Sequence, residues 1–304
     1  MDNIYDVIII GAGPAGLAAA IYAGRSRMKA MLIEKAFEGG QLALTADIEN
    51  YPGSHIGDTG PELIGRMVAQ VEHFGVERAY DIIVDVELEG EIKTLKGAEK
   101  EYRASTIIIA TGAFPKLIGC PGEKEFTGRG VSYCATCDGA FYRDLEVFVV
   151  GGGDSAVEEA IYLTRFAKKV TIVHRRDELR AARSIQEHAR NNPKIEYLWD
   201  SVVEEIKGEH EVNSVSVRNV KTNEITDVKV DGIFVCIGLN PSSALFDDKI
   251  KMENGYIVAD EMMQTNVEGV FVAGDIRVKP LRQVVTAVSD GAIAAMQVYK
   301  YLFE

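Results

Sequence analysis

The chain has 304 residues, enough for two domains of ordinary size, each with its own hydrophobic core. Its composition, 47% hydrophobic and 26% charged with 29 Gly and 8 Pro, is that of a soluble globular protein and excludes the disordered and collagen-like classes. The net charge of −13 gives no support for a nucleic-acid surface, where Lys and Arg must release counterions, and no apolar run approaches the roughly eighteen residues of a membrane span.

The opening Met-Asp-Asn-Ile-Tyr-Asp is acidic and lacks the basic start of a secretory signal, so the chain reads as unprocessed and cytoplasmic. Asp6 to Gly16, DVIIIGAGPAG, then reads as a strand opening a glycine turn, followed by an Ala-rich helix and a second strand over Ala30 to Ile33. The same unit returns at Glu146 to Ala156, EVFVVGGGDSA, with its second strand at Val170 to Val173. Gly11 to Glu34 and Gly151 to His174 each span 23 positions, so the chain carries two matched βαβ units with a G-x-G-x-x-G/A turn. In such a turn the first glycine permits the bend, the second admits a pyrophosphate to the backbone, and the third position lets helix pack on strand; the helix N-terminus then faces the phosphates.

The residue ending each second strand separates the two nucleotides. Glu34 suits the 2′- and 3′-hydroxyls of an unphosphorylated ribose, as in FAD or NAD. His174, Arg175 and Arg176, with Arg180 one turn on, offer no carboxylate but several guanidinium forks suited to a 2′-phosphate, which favours NADPH over the alternative of a solvated basic helix start. Between the first unit and the next strand, Gly39 to Gly53 is a long connection bounded by glycines, a length more often functional than idle.

Thr106 to Gly112 and Gly269 to Asp275 read as strands ending at glycine, with Asp275 a flavin ligand and Arg282 to Ile293 a helix whose N-terminal dipole favours negative charge. This order splits the first domain around the second βαβ unit, with joins near Phe114-Pro115 and Asn240-Pro241. Residues 1–113 and 243–304 form the expected FAD-binding domain, and residues 114–242 the NADPH-binding domain. The fold class is α/β: two Rossmann-like, three-layer domains, the second inserted in the first.

Within the inserted domain, Cys134 and Cys137 have C-x-x-C spacing. Three readings compete there: half a zinc site, structural thiols, or a redox dithiol. Zinc would need two more ligands, whereas Cys120 and Cys236 are isolated and the five His scattered; no metal is expected. A dithiol that cycles with a flavin accounts for the cysteines and both nucleotide loops together. Asp138, next to the second thiol, is either the proton donor and acceptor of that chemistry or a helix cap. Cys120 and Cys236 read as buried apolar fillers.

GAGPAGLAAA, GGQL with IENYPG, ATG, CATCDGA, GGGDSAVEEA, HRRDELRA and GVFVAGD followed by RQ, in that order, make the chain resemble the low-molecular-weight bacterial thioredoxin reductases over essentially its whole length. The resemblance implies a homodimer that binds FAD and NADPH and reduces thioredoxin. It implies that Cys134 attacks thioredoxin, that Cys137 lies closer to the flavin, and that Asp138 donates the proton. Around FAD it places Gly11, Gly13, Pro14, Ala15 and Gly16 of the first loop, Glu34 with Lys35, Gly40 with Gln41, and Asn50. Ala110, Thr111 and Gly112, then Gly274 and Asp275, and Arg282, Gln283 and Val284 complete that set. Around NADPH it places Gly151, Gly153, Asp154 and Ser155, then His174 with the clamp of Arg175, Arg176 and Arg180, and Ile237 with Gly238. It also implies a large rotation of the inserted domain, since nicotinamide site and dithiol share that domain and must each meet one flavin in turn.

The larger glutathione-reductase-like flavoproteins carry C-x₄-C in the first domain, and Gly39 to Gly53 contains no Cys; ferredoxin-linked relatives lose the nucleotide features that Gly151, Gly153, Arg175 and Arg176 supply here. Some family members have His or Lys where Leu239 follows Gly238. Other readings of the activity are reduction of a different partner, such as a peroxidase subunit or a glutaredoxin-like protein, a small-dithiol oxidase, and a flavin-binding redox sensor.

Overall fold

The computed structural model describes residues 4–45 and 48–304, with the Leu44 side chain also left out. The acidic start at residues 1–3, and Ala46 and Asp47 of the long connection, therefore lie outside the described residues. The chain divides into two compact units, Met1–Phe114 with Asn240–Glu304, and Pro115–Leu239.

The first unit begins with β1 (Ile4–Ile10), α1 (Pro14–Arg25), β2 (Ala30–Glu34), α2 (Gly60–His73), β3 (Glu77–Tyr80), β4 (Ile83–Glu87), β5 (Lys93–Gly97) and β6 (Glu101–Ile109). Its sheet runs β3-β2-β1-β6-β5-β4, and the strand Val270–Val272 from the C-terminal segment adds to β6 in parallel. The two halves of β6 have different neighbours. Glu101 to Ala104 pair antiparallel with β5, whereas Ile107 to Ile109 lie between β1 and Val270–Val272, both parallel. Burial along β6 alternates in the first half and is continuous in the second, as expected where a hairpin edge passes into a parallel sheet covered on both faces.

Successive residues of β1 point to opposite faces. Val7 and Ile9 join the core under the helices, and Ile8 and Ile10 join a second core with Phe246, Ile250 and Ile257. On the helix face α1 packs against the C-terminal helix Val284–Phe303, where a Cβ on Gly291 would stand 2.0 Å from the Ala15 carbonyl oxygen. That helix differs from expectation at both ends. Gln283 is extended (φ −145°, ψ 161°) and exchanges capping hydrogen bonds with Thr286, so Arg282 and Gln283 precede the helix instead of opening it. Beyond Ile293 it continues for ten residues, with Ala294, Ala295 and Val298 keeping its apolar face buried.

The second unit follows in chain order as β7 (Val131–Ser132), α3 (Ala135–Asp138), β8 (Glu146–Val150), α4 (Asp154–Leu163), β9 (Lys169–Val173), α5 (Arg183–Arg190) and β10 (Ile195–Leu198). β11 (Ser201–Gly208), β12 (Val212–Asn219), β13 (Ile225–Lys229) and β14 (Gly232–Val235) complete it. Its parallel sheet has the order β10-β9-β8-β14-β7, and β11-β12-β13 form a separate antiparallel sheet. Val147 and Val149 of β8 face a core with Val157, Ala160 and Leu163 of α4; Phe148 faces another with Val203, Val215 and Val217 of the antiparallel sheet. Three layers result: helices, parallel sheet, antiparallel sheet.

Candidate nucleotide loops and dithiol site

Both glycine turns stand at the carboxyl ends of parallel strands, where an open α/β sheet leaves a crevice. In the first unit Gly11 has φ +103°, and a Cβ on it would lie 2.5 Å from the Ala110 carbonyl oxygen. A Cβ on Gly16 would lie 1.8 Å from the Gly11 carbonyl oxygen, whereas one on Gly13 meets nothing within 4 Å. Turn, open backbone and close packing thus fall on Gly11, Gly13 and Gly16 in chain order. Pro14 opens α1, whose first amides have no partner inside the helix.

Glu34 is tied into this turn. Its Oε2 accepts from Ala12 N at 2.8 Å, and its Oε1 from Lys35 N at 2.7 Å and Ala36 N at 3.3 Å. A carboxylate has about four acceptor positions, so capacity for a ribose hydroxyl remains chiefly on Oε2. The Lys35 ammonium lies 5.5 Å over the Phe114 ring. Gly40 opens a short 3₁₀ turn near the Gly13 backbone, and the Gln41 amide donates to the Ala113 carbonyl.

The remaining candidates of this unit come from both ends of the chain. The Asn50 amide donates to Gln283 Oε1 at 3.1 Å. Beyond β6, the Thr111 hydroxyl donates to the Ser242 carbonyl at 2.9 Å and the Gly112 carbonyl accepts from Ser242 N at 2.9 Å. Gly274, at φ +83°, donates its N–H to Asp290 Oδ2 at 3.0 Å. Asp275 follows with Oδ1 buried and without a hydrogen-bond partner, and burial pushes its carboxyl above the usual range against the nearby Lys279 and Arg282 charges. A buried acceptor with nothing to accept from fits a ligand hydroxyl. Arg282 is largely engaged with the protein: it donates to the carbonyls of Asp275, Lys279 and Arg277 and lies 4.2 Å over the Tyr256 ring. Val284 is the first residue of the C-terminal helix.

In the second unit a Cβ on Gly151 would stand 2.5 Å from the Cys236 carbonyl oxygen, and one on Gly153 meets nothing within 4 Å. Ala156 at the third position is fully buried. Asp154 Oδ1 accepts from Ala182 N at 2.7 Å, Gly152 O accepts from Arg180 N at 2.7 Å, and Ser155 is exposed at the start of α4. Ile237, exposed, and Gly238, whose carbonyl accepts from Lys116 N at 2.9 Å, follow the strand beside this loop.

His174, which the resemblance places around NADPH, is buried. Only 5% of it is exposed, and its imidazole fills the space a Gly152 side chain would need, with Cε1 2.3 Å from the Cβ position. Burial, aided by the Arg180, Arg175 and Arg176 charges, holds it below the ordinary imidazole range, and Nε2 has no partner. It supports the loop from beneath. Arg175, Arg176 and Arg180 are exposed, and among the described residues none has a carboxylate within salt-bridge distance. Three unpaired guanidinium groups beside an open glycine turn fit a phosphate dianion.

Cys134 and Cys137 form a disulfide with Cα atoms 5.3 Å apart. Cys134 caps α3, and its carbonyl accepts from Cys137 N at 3.2 Å and Asp138 N at 3.1 Å, which is the one-turn closure that brings the sulfurs together. Ser132, absent from the sequence reading, is central here. Its hydroxyl accepts from Cys134 N at 3.1 Å and donates to Asp138 Oδ2 at 2.6 Å. The capping alternative for Asp138 fails, because its side chain makes no cap hydrogen bond to the 3₁₀ turn it precedes. A serine two residues before C-x-x-C carries no sequence signal; only β7 brings it back over the turn.

Of the other two cysteines, Cys120 packs against an apolar core as expected, whereas Cys236 has a polar partner. Both are half-buried residues. Burial pushes the Cys120 thiol up to about 11, while the Cys236 thiol donates to Glu159 Oε2 at 2.9 Å and is driven well above its usual range by burial and that carboxylate.

The description "Pyridine nucleotide-disulphide oxidoreductase" matches residues 5–291. The thioredoxin reductase of Peptoclostridium litorale is 60% identical over 311 residues, covering 100% of this chain and 99% of that one. That of Bacillus subtilis (strain 168) is 52% identical over 305 residues, covering 100% and 96%. Among solved structures, thioredoxin reductase from Streptococcus pyogenes MGAS5005 superposes with a TM-score of 0.95 at 50% identity, covering 99% of each chain.

Proposed function

Since the chain belongs to the thioredoxin reductases of the pyridine nucleotide-disulphide oxidoreductase family, we propose that it is an NADPH-dependent thioredoxin-disulfide reductase whose Cys134–Cys137 disulfide is the redox centre. The observation that carries this is one compact unit holding both the disulfide and a glycine turn flanked by three unpaired arginines. FAD, when bound, supplies the two-electron carrier between the nicotinamide of NADPH and a disulfide.

The residues present fit both groups. Asp275 Oδ1, buried and unpartnered, with the open Gly13 backbone and the remaining capacity of Glu34, holds FAD in the first unit. Arg175, Arg176 and Arg180 hold the 2′-phosphate of NADPH and the open Gly153 backbone its pyrophosphate. In the dithiol, Cys134 attacks the thioredoxin disulfide and Cys137 resolves the mixed disulfide, re-forming the internal bond. Asp138, held by Ser132, gives and takes the proton as thiolate leaves and returns. Among the described residues no helix is long and apolar enough to cross a membrane, and the proposal includes a cytoplasmic homodimer.

The protein mixed with NADPH and thioredoxin is expected to generate thiols, and Cys134→Ser to abolish this; full turnover in that variant overturns the assignment. Anaerobic NADPH titration should take up about four electrons per flavin, two for flavin and two for the disulfide. Light scattering should give a dimer mass.

A further inference from the structure

Behind the dithiol turn lies a carboxylate that the reaction as described does not use. Glu159, on α4, is half-buried, and its Oε2 accepts two hydrogen bonds, from Ala135 N at 3.3 Å and from Cys236 Sγ at 2.9 Å. Ala135 is the residue after Cys134 and the first of α3. Oε2 accepts from both donors and so carries no proton; the carboxyl is ionised when Oε1 carries none either. The surroundings are apolar: fully buried Ala135, Val157, Ala160, Leu163 and Phe234 share one core, with Cys236 packed against it.

We propose that Glu159 is a positioning residue for the dithiol, an ionised carboxylate that grips the Ala135 amide behind the Cys134–Cys137 turn and opposes thiolate formation there, making the pair a stronger reductant. The inference rests on the reading of Cys134 and Cys137 as the redox centre. Its physical basis is competition. The Ala135 amide, next to Cys134 at the start of this four-residue turn, would otherwise present its N–H dipole to a thiolate. A negative charge on that amide, in a medium where charges are weakly screened, cancels that help. Burial also lifts the Glu159 carboxyl above its ordinary range, against the Cys236 and Ala135 hydrogen bonds.

Other titratable groups on the elements around it are Asp138 on α3, held by Ser132, and Tyr142 on the following 3₁₀ turn, pushed to about 12 mainly by burial and then by Asp138. Asp154 and Glu158 of α4 are exposed, as are Arg183, Glu187, His188 and Arg190 of α5. Lys169 of β9 pairs with Glu196.

Opening the disulfide breaks one S–S bond and takes two electrons. With both thiols protonated it takes up two protons; above the first ionisation it takes up one and leaves one thiolate. The electrons come from NADPH in the proposed activity and from dithiothreitol, oxidised to its cyclic disulfide, in the test.

The test equilibrates the holoenzyme in dithiothreitol redox buffers from about pH 6 to about pH 9, with Cys134 and Cys137 read by mass after alkylation. In Glu159→Gln the exchange equilibrium is expected to move about tenfold toward the dithiol above the first thiol ionisation, about 30 mV for a two-electron couple. The acid constant of that thiol should rise about tenfold. Cys236→Ala removes a donor from the carboxylate, so the carboxyl ionises later; the same shift, smaller, is expected near neutrality and should vanish at the alkaline end. Should Glu159→Gln fail to fold, Cys236→Ala carries the test. An equilibrium and thiol ionisation unchanged in the folded variants overturn the inference. A wild-type protein whose Cys134 and Cys137 do not interconvert overturns the redox reading itself, and this inference with it.

Discussion

Asp290→Asn isolates the buried charge cluster that holds the Gly274–Asp275 turn. Asp290 is 4% exposed and accepts from Gly274 N at 3.0 Å, Arg277 Nε at 2.9 Å and Nη2 at 3.2 Å, and Lys279 Nζ at 2.6 Å. The Lys279 side chain is 3% exposed, so neutralising Asp290 strands a buried ammonium. Breaking such a pair from one side costs about 3–5 kcal/mol. For a cooperative unit of this size that lowers the melting transition by about 6–20 °C, at about 2–4 °C per kcal/mol. Burial alone would raise the Asp290 carboxyl, but the Arg277 and Lys279 hydrogen bonds and charges outweigh it and hold it below its ordinary value. Its contribution is therefore present above the unfolded carboxylate value of about 3.9 and is lost as pH falls through the lower folded value. Calorimetry of the holoprotein, with flavin retention measured alongside, reads both effects. A variant that melts within a degree or two of wild type and keeps its flavin would refute the view that this cluster secures the turn. Combining Asp290→Asn with Lys279→Met should recover part of the loss.

Arg175→Ala removes one charge-assisted fork and is expected to raise the KM for NADPH by about 10- to 100-fold with little change for NADH; equal losses with both nucleotides would mean the clamp is misassigned. Gly152→Ala drives a methyl into the His174 imidazole, at an overpacking cost of about 1–3 kcal/mol, and should weaken NADPH binding while the flavin content stays at wild-type level. Ser132→Ala removes the hydroxyl that donates to Asp138 Oδ2 and accepts from Cys134 N, for an expected turnover loss of about tenfold with thioredoxin; unchanged turnover would count against Asp138 as the proton carrier.

Periodic, local features were legible in the sequence. The glycine turns depend on residues a few positions apart, and steric demands at Gly11, Gly16 and Gly151 leave little choice of side chain. The C-x-x-C spacing closes within one helical turn, so its disulfide needs only its own segment. The C-terminal helix departs from the sequence expectation at both ends because its start depends on a Gln283–Thr286 capping exchange that propensity does not announce, and its length on packing against α1. His174 stands in a basic motif, and its ring is buried because Gly152 across the loop leaves a space that an imidazole fills.

Two glycine turns, three arginines and the cysteine pair could be read from residue order, since each is a short-range arrangement of residue types with few stable alternatives. What stands behind the cysteines depends on the fold. Ser132, Glu159 and Cys236 come from a strand, a helix and a strand end far apart in the chain, and meet around α3 because the parallel order of β8, β14 and β7 brings those ends together. Spacing says which thiols can join, whereas the groups that surround them follow from which strands are neighbours.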